Sequence, residues 1–500
     1  MKEKLDQLKT LLAEIADLDR ANALLGWDQQ VYMPRGGAED RGNVLSTIAT
    51  IEHQKMTSDE LGRLLEDLKP FAATLDPDSD DACIILRTAH NYDKNRKVPS
   101  SWVAEFAKAT TLGQTAWEEA KAKSDFAVFR PHLEKIVALR RDYADFFKPY
   151  DHIYDPLLDD FEPGLKTRDV QQIFGALRPE QIKLIQEIAA RPKVDDSFLK
   201  LNYDEKGQEE FGLEVAKAIG FDFNRGREDV SVHPFTTSFG IDDVRITTHF
   251  LSDRVASAIF STIHETGHGL YEQGIGQSLR RTPLATGASS AIHESQSRMW
   301  ENIVGRSKPF WTRFYPRLQE IFPTQLANVH LEDFYRAVNT VEPSFVRTEA
   351  DEATYNLHIM LRLELEIALM DGSVQVKDLP QVWNAKMQEF LGITPANDRQ
   401  GVLQDVHWSA GLFGYFPTYA LGNLIAVQIW ERMSASMPDV NSRMEQGDFL
   451  GILHWLRENL HRHGSKFEPQ DLVKRVTGST IQSEPYMKYL RAKYAEIYGL

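Results

Sequence analysis

Apolar residues recur every three or four positions along most of the chain. At the start, Leu5, Leu8, Leu12 and Ile15 follow this spacing with charged residues between them, which is typical of an amphipathic helix and not of a secretory leader. The same spacing, or a helix-forming composition, predicts helices over 1–25, 101–123, 130–148, 168–191, 207–220, 252–273, 289–304, 349–370 and 379–391. No Gly/Ser-rich linker or internal repeat divides them. The pattern therefore predicts a mainly α fold, with 1–500 as one large helical domain that could form two lobes around a cleft.

One segment, 229–250, departs from helical spacing. Its β-branched residues alternate with polar ones, so that Val244, Ile246, Thr248 and Phe250 would share one face and Asp243, Arg245, Thr247 and His249 the other. The turn FGIDD (239–243) between two such runs predicts a β-hairpin or a small sheet. Such a sheet either only covers the helices or lines a cleft, where an exposed edge could pair with an extended peptide.

Charge and cysteine content narrow the range of partners and locations. The formal net charge is −16, which argues against nucleic acid because phosphate binding needs a basic surface. No run of about 18 apolar residues is present, so no membrane span is expected. The single cysteine, Cys83, excludes an internal disulfide and is expected to be a buried small side chain. A cytoplasmic location fits best.

The strongest chemical signal is an H-E-x-x-H motif at 264–268, inside the predicted helix 252–273. Residues four apart share one helix face, so His264 and His268 can bind one tetrahedral metal ion. Glu265 can then act as the general base on the attacking water without being a ligand. The alternative is a structural histidine pair within a hydrogen-bond network.

A catalytic zinc site usually needs a third protein ligand. Glu294, in the first turn of the predicted helix 289–304, is the best candidate, and Glu301 and His293 are rivals. An acid in the first turn of a helix also favours the helix dipole and could pair with Arg298 at i+4. Spacing alone therefore leaves the third ligand open.

The segment 401–423 is dense in polar and aromatic residues and is punctuated by glycines. Irregular polar segments in helical proteins often form cleft walls. His407 and one of two tyrosines, Tyr415 or Tyr419, could donate hydrogen bonds to an oxyanion. The alternative is an aromatic packing loop in which Asp405 and His407 pair structurally.

Further candidates could bind a substrate. Arg347 precedes a predicted helix and could clamp a carboxylate, or else form a surface ion pair. Thr348 and Asp351 match a capping box with Asp in place of Glu, so Asp351 is expected to serve the helix end. Arg245 could bind a neighbouring acid or a substrate carboxylate, and His233 lies upstream of it in the same region.

Taken in chain order, these motifs resemble the thermostable carboxypeptidase family of the Taq type, which are HExxH metallocarboxypeptidases. The matching segments are HPF at 233–235, DVRIT at 243–247, HETGH at 264–268, HESQ at 293–296, VRTEAD at 346–351 and GVLQDVHW at 401–408. The region 26–41 is also similar, so the resemblance spans nearly the whole chain. The one departure is Val346, which replaces an isoleucine beside Arg347.

The resemblance implies a saddle-like, gluzincin-like helical molecule with a deep central groove and a small sheet beside the metal site. It implies release of single amino acids from peptide C-termini with broad specificity, in a cytoplasmic homodimer. It implies Glu294 as the third ligand, Arg347 as the cation for the substrate's carboxylate, and His407 with Tyr419 or Tyr415 as hydrogen-bond donors. Zinc is the expected metal, and cobalt or manganese could also bind.

These inferences define a metal-binding core of about 229–423 inside the single domain. The predicted substrate-binding residues are His233, Arg245, Arg347 and Asp405. A zinc oligopeptidase that cuts internal bonds is the alternative enzyme. A peptide-binding protein with a vestigial site is the alternative outside enzymes, although a binder has no need of Glu265.

Overall fold

Helices make up most of the computed structural model, which describes residues 1–500. The helices before the sheet are α1 (Lys2–Val31), α2 (Ala38–Met56), α3 (Asp59–Ala72), α4 (Asp80–Arg96), α5 (Ser100–Lys123), α6 (Phe126–Asp145), α7 (Asp155–Asp159), α8 (Thr167–Ala189) and α9 (Glu205–Ala218). Those after it are α10 (Val255–Gly274), α11 (Ser290–Arg298), α12 (Lys308–Ile321), α13 (Pro323–Leu326), α14 (Leu331–Ala337), α15 (Glu352–Asp371), α16 (Leu379–Leu391), α17 (Pro417–Ser436), α18 (Val440–Glu445), α19 (Leu450–Asn459), α20 (Pro469–Thr477) and α21 (Glu484–Tyr498). The mainly α fold class is confirmed.

A three-stranded sheet precedes α10 in the chain. Its strands are β1 (Gly226–Val230), β2 (Thr236–Gly240) and β3 (Asp243–Thr248), in the order β1-β3-β2. β2 and β3 form the predicted antiparallel hairpin, with Thr237 opposite Arg245. β1 adds a parallel partner that the sequence pattern did not predict, because its residues GREDV show no apolar alternation. Val244, Ile246 and Thr248, predicted to share one face, are buried in β3, and so is Thr247 of the other face, while Phe250 lies beyond the strand.

Three predicted helix starts need correction, and one of them is that of α6, which begins at Phe126 and not at 130. α10 begins at Val255 and not at 252. α15 begins at Glu352, because the side chain of Asp351 itself caps it by accepting hydrogen bonds from the N–H groups of Ala353 and Thr354. The capping box that starts at Thr348 is therefore wrong, and Thr348 lies in a 3₁₀ turn before the helix.

The segment 401–423 is only partly irregular. It has no regular structure up to Phe416, and α17 then begins with Pro417 at its first position. Proline is tolerated there because the first helical N–H has no partner within the helix. The irregular segment predicted over 401–423 therefore ends at Phe416, and Tyr419 and Gly422 both lie in α17.

The hydrophobic core has two parts. The larger cluster of buried side chains runs through α10, α11, α15 and α17, the helices that carry most of the motif residues. A smaller one joins α1, α3 and α4 to residues just after α10 such as Ile275 and Leu279. None of the helices combines the length and apolar character that a membrane crossing requires.

Candidate active site

The H-E-x-x-H residues lie on α10, whose apolar stripe, including Ile259 and Ile263, is buried in the core. This anchoring fixes the opposite face of the helix. There the ring centroids of His264 and His268 are 5.0 Å apart. The four-residue spacing therefore places both imidazoles side by side, as the sequence predicted.

Glu294 reaches the same point from α11. Ser289 caps this helix, with its Oγ accepting a hydrogen bond from the N–H of Ile292. The Oε2 atom of Glu294 lies 3.7 Å from His264 Nε2 and 3.4 Å from His268 Nε2. Two imidazole nitrogens and one carboxylate oxygen therefore converge from two helices.

Two glycines allow the helices to come this close. A Cβ atom on Gly267 of α10 would lie 2.6 Å from the Cα of Ser297 in α11. A Cβ atom on Gly422 of α17 would lie 2.7 Å from the Cγ of Glu294. Any larger side chain would push these helices apart, so the glycines set how closely Glu294 approaches the histidines.

Neighbouring groups orient both imidazoles through their other nitrogen. Glu301, whose carboxylate can only accept, lies 2.8 Å from His264 Nδ1. Glu272 lies 2.8 Å from His293 Nε2, and His293 Nδ1 lies 2.6 Å from His268 Nδ1. This chain of partners places the hydrogen of both His264 and His268 on Nδ1, which leaves each Nε2 lone pair facing Glu294.

The donor set fits a divalent cation. One ligand atom from each of His264, His268 and Glu294 lies within 4.8 Å of the others, and two histidines with one glutamate are a ligand set of catalytic zinc sites. The rival ligands Glu301 and His293 contact the outer nitrogens of the two imidazoles instead.

Electrostatics favour a cation here. Burial alone would raise the pKa of Glu294, but Arg298, whose Nε donates to Glu294 Oε1 over 2.7 Å, and His264 hold that pKa well below its usual range. Burial lowers the pKa of His268 to about 3, so this ring is neutral, as a metal ligand must be. Against the effect of burial, Glu294 and Glu301 raise the pKa of His264, so a cation would compete with a proton on that ring.

Glu265 lies beside the two histidines and is 6% exposed. Its Oε2 accepts a hydrogen bond of 2.6 Å from the hydroxyl of Thr236, the first residue of β2. Burial raises the pKa of Glu265, which makes the carboxylate a stronger base. The small sheet therefore holds the candidate general base in place.

A cavity of about 650 Å³ opens over these groups. Its walls come from the 160–163 region, the start of β2, α10, the 286–290 turn, α11 and α17. The lining residues are Asp160, Phe161, Pro163, Pro234, Phe235, Thr236, His264, Glu265, His268, Thr286, Gly287, Ala288, Ser289, Ser290, His293, Glu294, Tyr415, Thr418 and Tyr419. The volume suits a short peptide segment.

Arg347 belongs to a buried charge cluster. Its Nε and Nη2 donate to Asp405 Oδ1 over 3.0 and 2.8 Å, and its Nη1 donates to Tyr355 Oη over 2.8 Å. Arg362 binds the other oxygen of Asp405, and the Oε1 of Gln404 accepts from the Arg362 side chain and from the backbone N–H of Arg347. Two guanidinium groups share one carboxylate, so the cluster carries one net positive charge. Three side-chain contacts use three of the five N–H groups of the Arg347 guanidinium, and Arg347 itself is not among the residues that line the cavity.

This cluster reaches the cavity through Tyr419. The Arg347 guanidinium lies 5.0 Å from the ring centroid of Tyr419. His407 Nε2 lies 3.2 Å from Tyr419 Oη, and the rings of Tyr415 and Tyr419 meet edge to face at 5.2 Å. Burial lowers the pKa of His407 to about 4 and raises that of Tyr415 to about 12, so both are neutral donors near pH 7.

Two predicted substrate-binding residues, His233 and Arg245, are not among the residues that line the cavity. His233 is exposed, and only its backbone oxygen has a polar partner, the hydroxyl of Ser231. Arg245 binds Asp243 and stacks 4.3 Å from the ring of Trp27 on α1. Asp405, also predicted to bind substrate, is engaged by two arginines instead.

Several contributors were missed from the sequence, among them Thr236 and Arg362. Thr236 looked like an ordinary strand residue, although its position directly after the HPF segment was a usable signal. Arg362 lies in α15 among apolar neighbours and is completely buried. Buried arginines are rare unless paired, so its position within a helical apolar run was the available clue.

The comparisons with known proteins agree with this geometry. The model of the family described as "Carboxypeptidase Taq (M32) metallopeptidase" matches residues 7–494. The chain belongs to this family. It is therefore a metallocarboxypeptidase, and the resemblance seen in the motifs is confirmed.

Relatives share the metallocarboxypeptidase fold over their full length. The chain is 42% identical to thermostable carboxypeptidase 1 of Thermus thermophilus, covering 97% of each protein. It is 40% identical to carboxypeptidase 1 of Bacillus subtilis, covering 98% of each. A crystal structure of an M32 carboxypeptidase from Deinococcus radiodurans superposes with a TM-score of 0.97 at 38% identity over 100% of both chains.

Proposed function

We propose that this metallocarboxypeptidase removes single amino acids from the free C-termini of peptides, with a divalent cation held by His264, His268 and Glu294. The observation that carries the proposal is their meeting with Glu265 on one wall of a peptide-sized cavity, while Tyr415 and Tyr419 form another. Zinc suits two imidazoles and a carboxylate best, and cobalt or manganese would also be accepted.

The residues around the cavity divide the chemistry among them. A divalent cation in this site supplies a Lewis acid that polarises the scissile carbonyl and acidifies water. Glu265, held by Thr236 and raised in pKa by burial, takes the proton of the attacking water and delivers it to the leaving amine. Tyr419 or Tyr415, with His407 behind Tyr419, donates a hydrogen bond to the oxyanion.

The charge cluster supports an exopeptidase. Asp405 neutralises only one of its two arginines, and the remaining positive charge lies against the ring of Tyr419, which lines the cavity. A buried positive charge attracts the terminal carboxylate of a peptide. Arg347 is thus the proposed carboxylate clamp, while Asp405 and Arg362 hold it in position.

The proposal is tested with a set of short peptides, each as a free acid and as a C-terminal amide. Mass spectrometry of the products with metal-loaded enzyme is expected to show stepwise loss of single residues from the acids and none from the amides. Internal fragments from both sets would instead support the oligopeptidase alternative.

A variant separates catalysis from binding. Glu265→Gln keeps the shape of the side chain but loses the base, so bound zinc is expected to stay stoichiometric while turnover is lost. Unchanged turnover in a clean preparation would remove Glu265 from the mechanism. Thr237→Ser, on the same strand as Thr236 but not lining the cavity, is a control expected to keep activity.

Three further features are proposed: the dimer on the resemblance, and the location and the single domain on the sequence pattern as well. The chain acts as a homodimer in the cytoplasm, and its single cysteine, Cys83, is consistent with a reducing compartment. We also propose that residues 1–500 form one catalytic domain with its metal-binding core at about 229–423. Sedimentation at several protein concentrations tests the dimer.

A further inference from the structure

The loop between α7 and α8 forms a wall of the cavity. We define residues 160–163 as the wall segment. Asp160 is bound on its outer side by Tyr143 at 2.6 Å and by Arg140 at 3.1 Å, both from α6. Phe161 and Pro163 line the cavity, and the ring of Phe161 meets that of Tyr415 edge to face at 5.0 Å. The segment therefore connects α6 to the active site.

The wall segment is also bonded to the start of α11. The first N–H groups of a helix have no partner within it. In α11 the N–H of Ser290 donates to the backbone oxygen of Phe161 over 3.1 Å, and that of Ala291 donates to Glu162 Oε1 over 2.5 Å. The helix's own cap, Ser289, serves only the next N–H, that of Ile292. A segment distant in sequence thus holds the first two N–H groups.

Burying the Glu162 side chain, which makes the contact to Ala291, lowers the stability of the fold. Its side chain is completely buried, and its Oε2 makes no hydrogen bond of good geometry, although the nearby Ser289 hydroxyl lowers the pKa of the carboxyl against the larger effect of burial. Burying a carboxyl group that is only partly satisfied costs free energy. Ser or Asp on α11 itself could cap the same N–H without this cost. We therefore expect this contact to have a role beyond capping α11.

We infer that Glu162 is a positioning residue for the metal centre, because it fixes the start of α11 and thereby the ligand Glu294. The inference rests on the metal site proposed above. Glu294 lies three residues after Ala291, within the first turn and a half of the helix. A shift of the helix start would move the Glu294 carboxylate relative to His264 and His268, whose anchor is the separate helix α10.

The same contact ties two parts of the active site together. When Glu162 holds α11, it also holds Phe161 against Tyr415, the candidate oxyanion donor. Loss of the Glu162 contact is therefore expected to affect both metal affinity and the alignment of the cavity wall. A residue that served only general stability would change neither the zinc affinity nor kcat at saturating zinc.

The test measures zinc affinity of metal-stripped protein by competition with a chromogenic chelator, together with kcat at saturating zinc and the melting temperature of the apoprotein. Glu162→Ala is expected to weaken zinc binding by about 10- to 100-fold, the range typical of residues that orient a metal ligand. Glu162→Gln is expected to restore most of the affinity. Burial raises the pKa of Glu162 to about 8, so the neutral amide resembles the form present at pH 7.

Asp125→Ala is the matched control. Asp125 caps α6 through an acceptor contact of 3.0 Å to the N–H of Ala127 and lies outside the cavity. Its loss is expected to lower the melting temperature and to leave zinc affinity unchanged. If Glu162→Ala does not fold, Glu162→Asp keeps the carboxyl group but is too short to reach Ala291, and the same loss of affinity is expected.

The outcomes separate the two proposals. Wild-type zinc affinity in Glu162→Ala or Glu162→Asp would overturn the positioning role, even with a lowered melting temperature. Glu294→Ala is measured in parallel. If it retained wild-type affinity, the proposed ligand set itself would be wrong. Lost affinity in Glu294→Ala with full affinity in Glu162→Ala would overturn the positioning role alone.

Discussion

Gly267, inside the H-E-x-x-H motif, offers the most direct test of how the metal ligands are brought together. In Gly267→Ala the added Cβ would lie 2.6 Å from Ser297 Cα and 2.8 Å from the backbone oxygen of Gln296. Both atoms belong to the backbone of α11, so no side chain can rotate away. Carbon atoms in contact normally lie about 3.5–4.0 Å apart, so α10 and α11 must separate by roughly 1 Å.

That displacement exceeds what the site tolerates. Functional constellations generally need their geometry held to about 0.5 Å, and Glu294 sits on the helix that must move. Overpacking typically costs about 1–3 kcal/mol, and because the clash is with backbone atoms we expect the upper part of that range, above the gain of about 1 kcal/mol from replacing glycine by alanine within a helix. We therefore expect Gly267→Ala to lower the melting temperature and to weaken zinc binding by at least about tenfold.

Gly175→Ala is the matched control. Gly175 lies within α8, and a Cβ there would meet no atom within 4 Å. This variant is expected to gain about 0.5–1 kcal/mol of stability and to bind zinc normally. Calorimetry of the apoproteins and chelator competition compare the two. The reasoning about helix approach would be refuted by a Gly267→Ala protein with wild-type zinc affinity and an unchanged melting temperature.

Three other changes extend the test. Arg347→Ala leaves Asp405 paired with Arg362 and is expected to raise KM for free-acid peptides about 30-fold, or ~2 kcal/mol; an unchanged KM would reassign the carboxylate clamp. His407→Ala is expected to lower kcat about 100-fold, whereas wild-type kcat would make this ring structural. Burial raises the pKa of the Glu162 carboxyl to about 8. The stability linked to its protonated form is therefore fully present below the unfolded pKa and is lost as pH rises through about 8. Glu162→Gln should therefore gain stability relative to wild type between pH 5 and 8, by at most about 1.4 kcal/mol per pH unit, and a difference independent of pH would contradict this.

Local patterns in the sequence were sufficient to predict several secondary-structure elements and part of the metal site. Helical spacing put His264 and His268 on one face, because residues four apart align whatever the tertiary fold. Alternation predicted the β2–β3 hairpin, and the ordered motifs indicated the family. These features depend on neighbours in the chain, so the chain alone reveals them.

Other features depend on contacts between distant segments, and only the tertiary structure decided them. Glu301 had ranked as a rival ligand, but a π-helical stretch, Met299–Val304, carries it to the outer nitrogen of His264. Arg245 could have faced a substrate, yet it stacks on Trp27, more than two hundred residues away in sequence.

The difference has a physical origin. Helix and strand periodicity arise from backbone geometry, which repeats over a few residues. The approach of α11 to α10 depends on the absence of a side chain at Gly267, and the charge of the Arg347 cluster depends on how two arginines share Asp405. The sequence by itself determined which residues could do the chemistry, and packing between remote helices decided which of them meet.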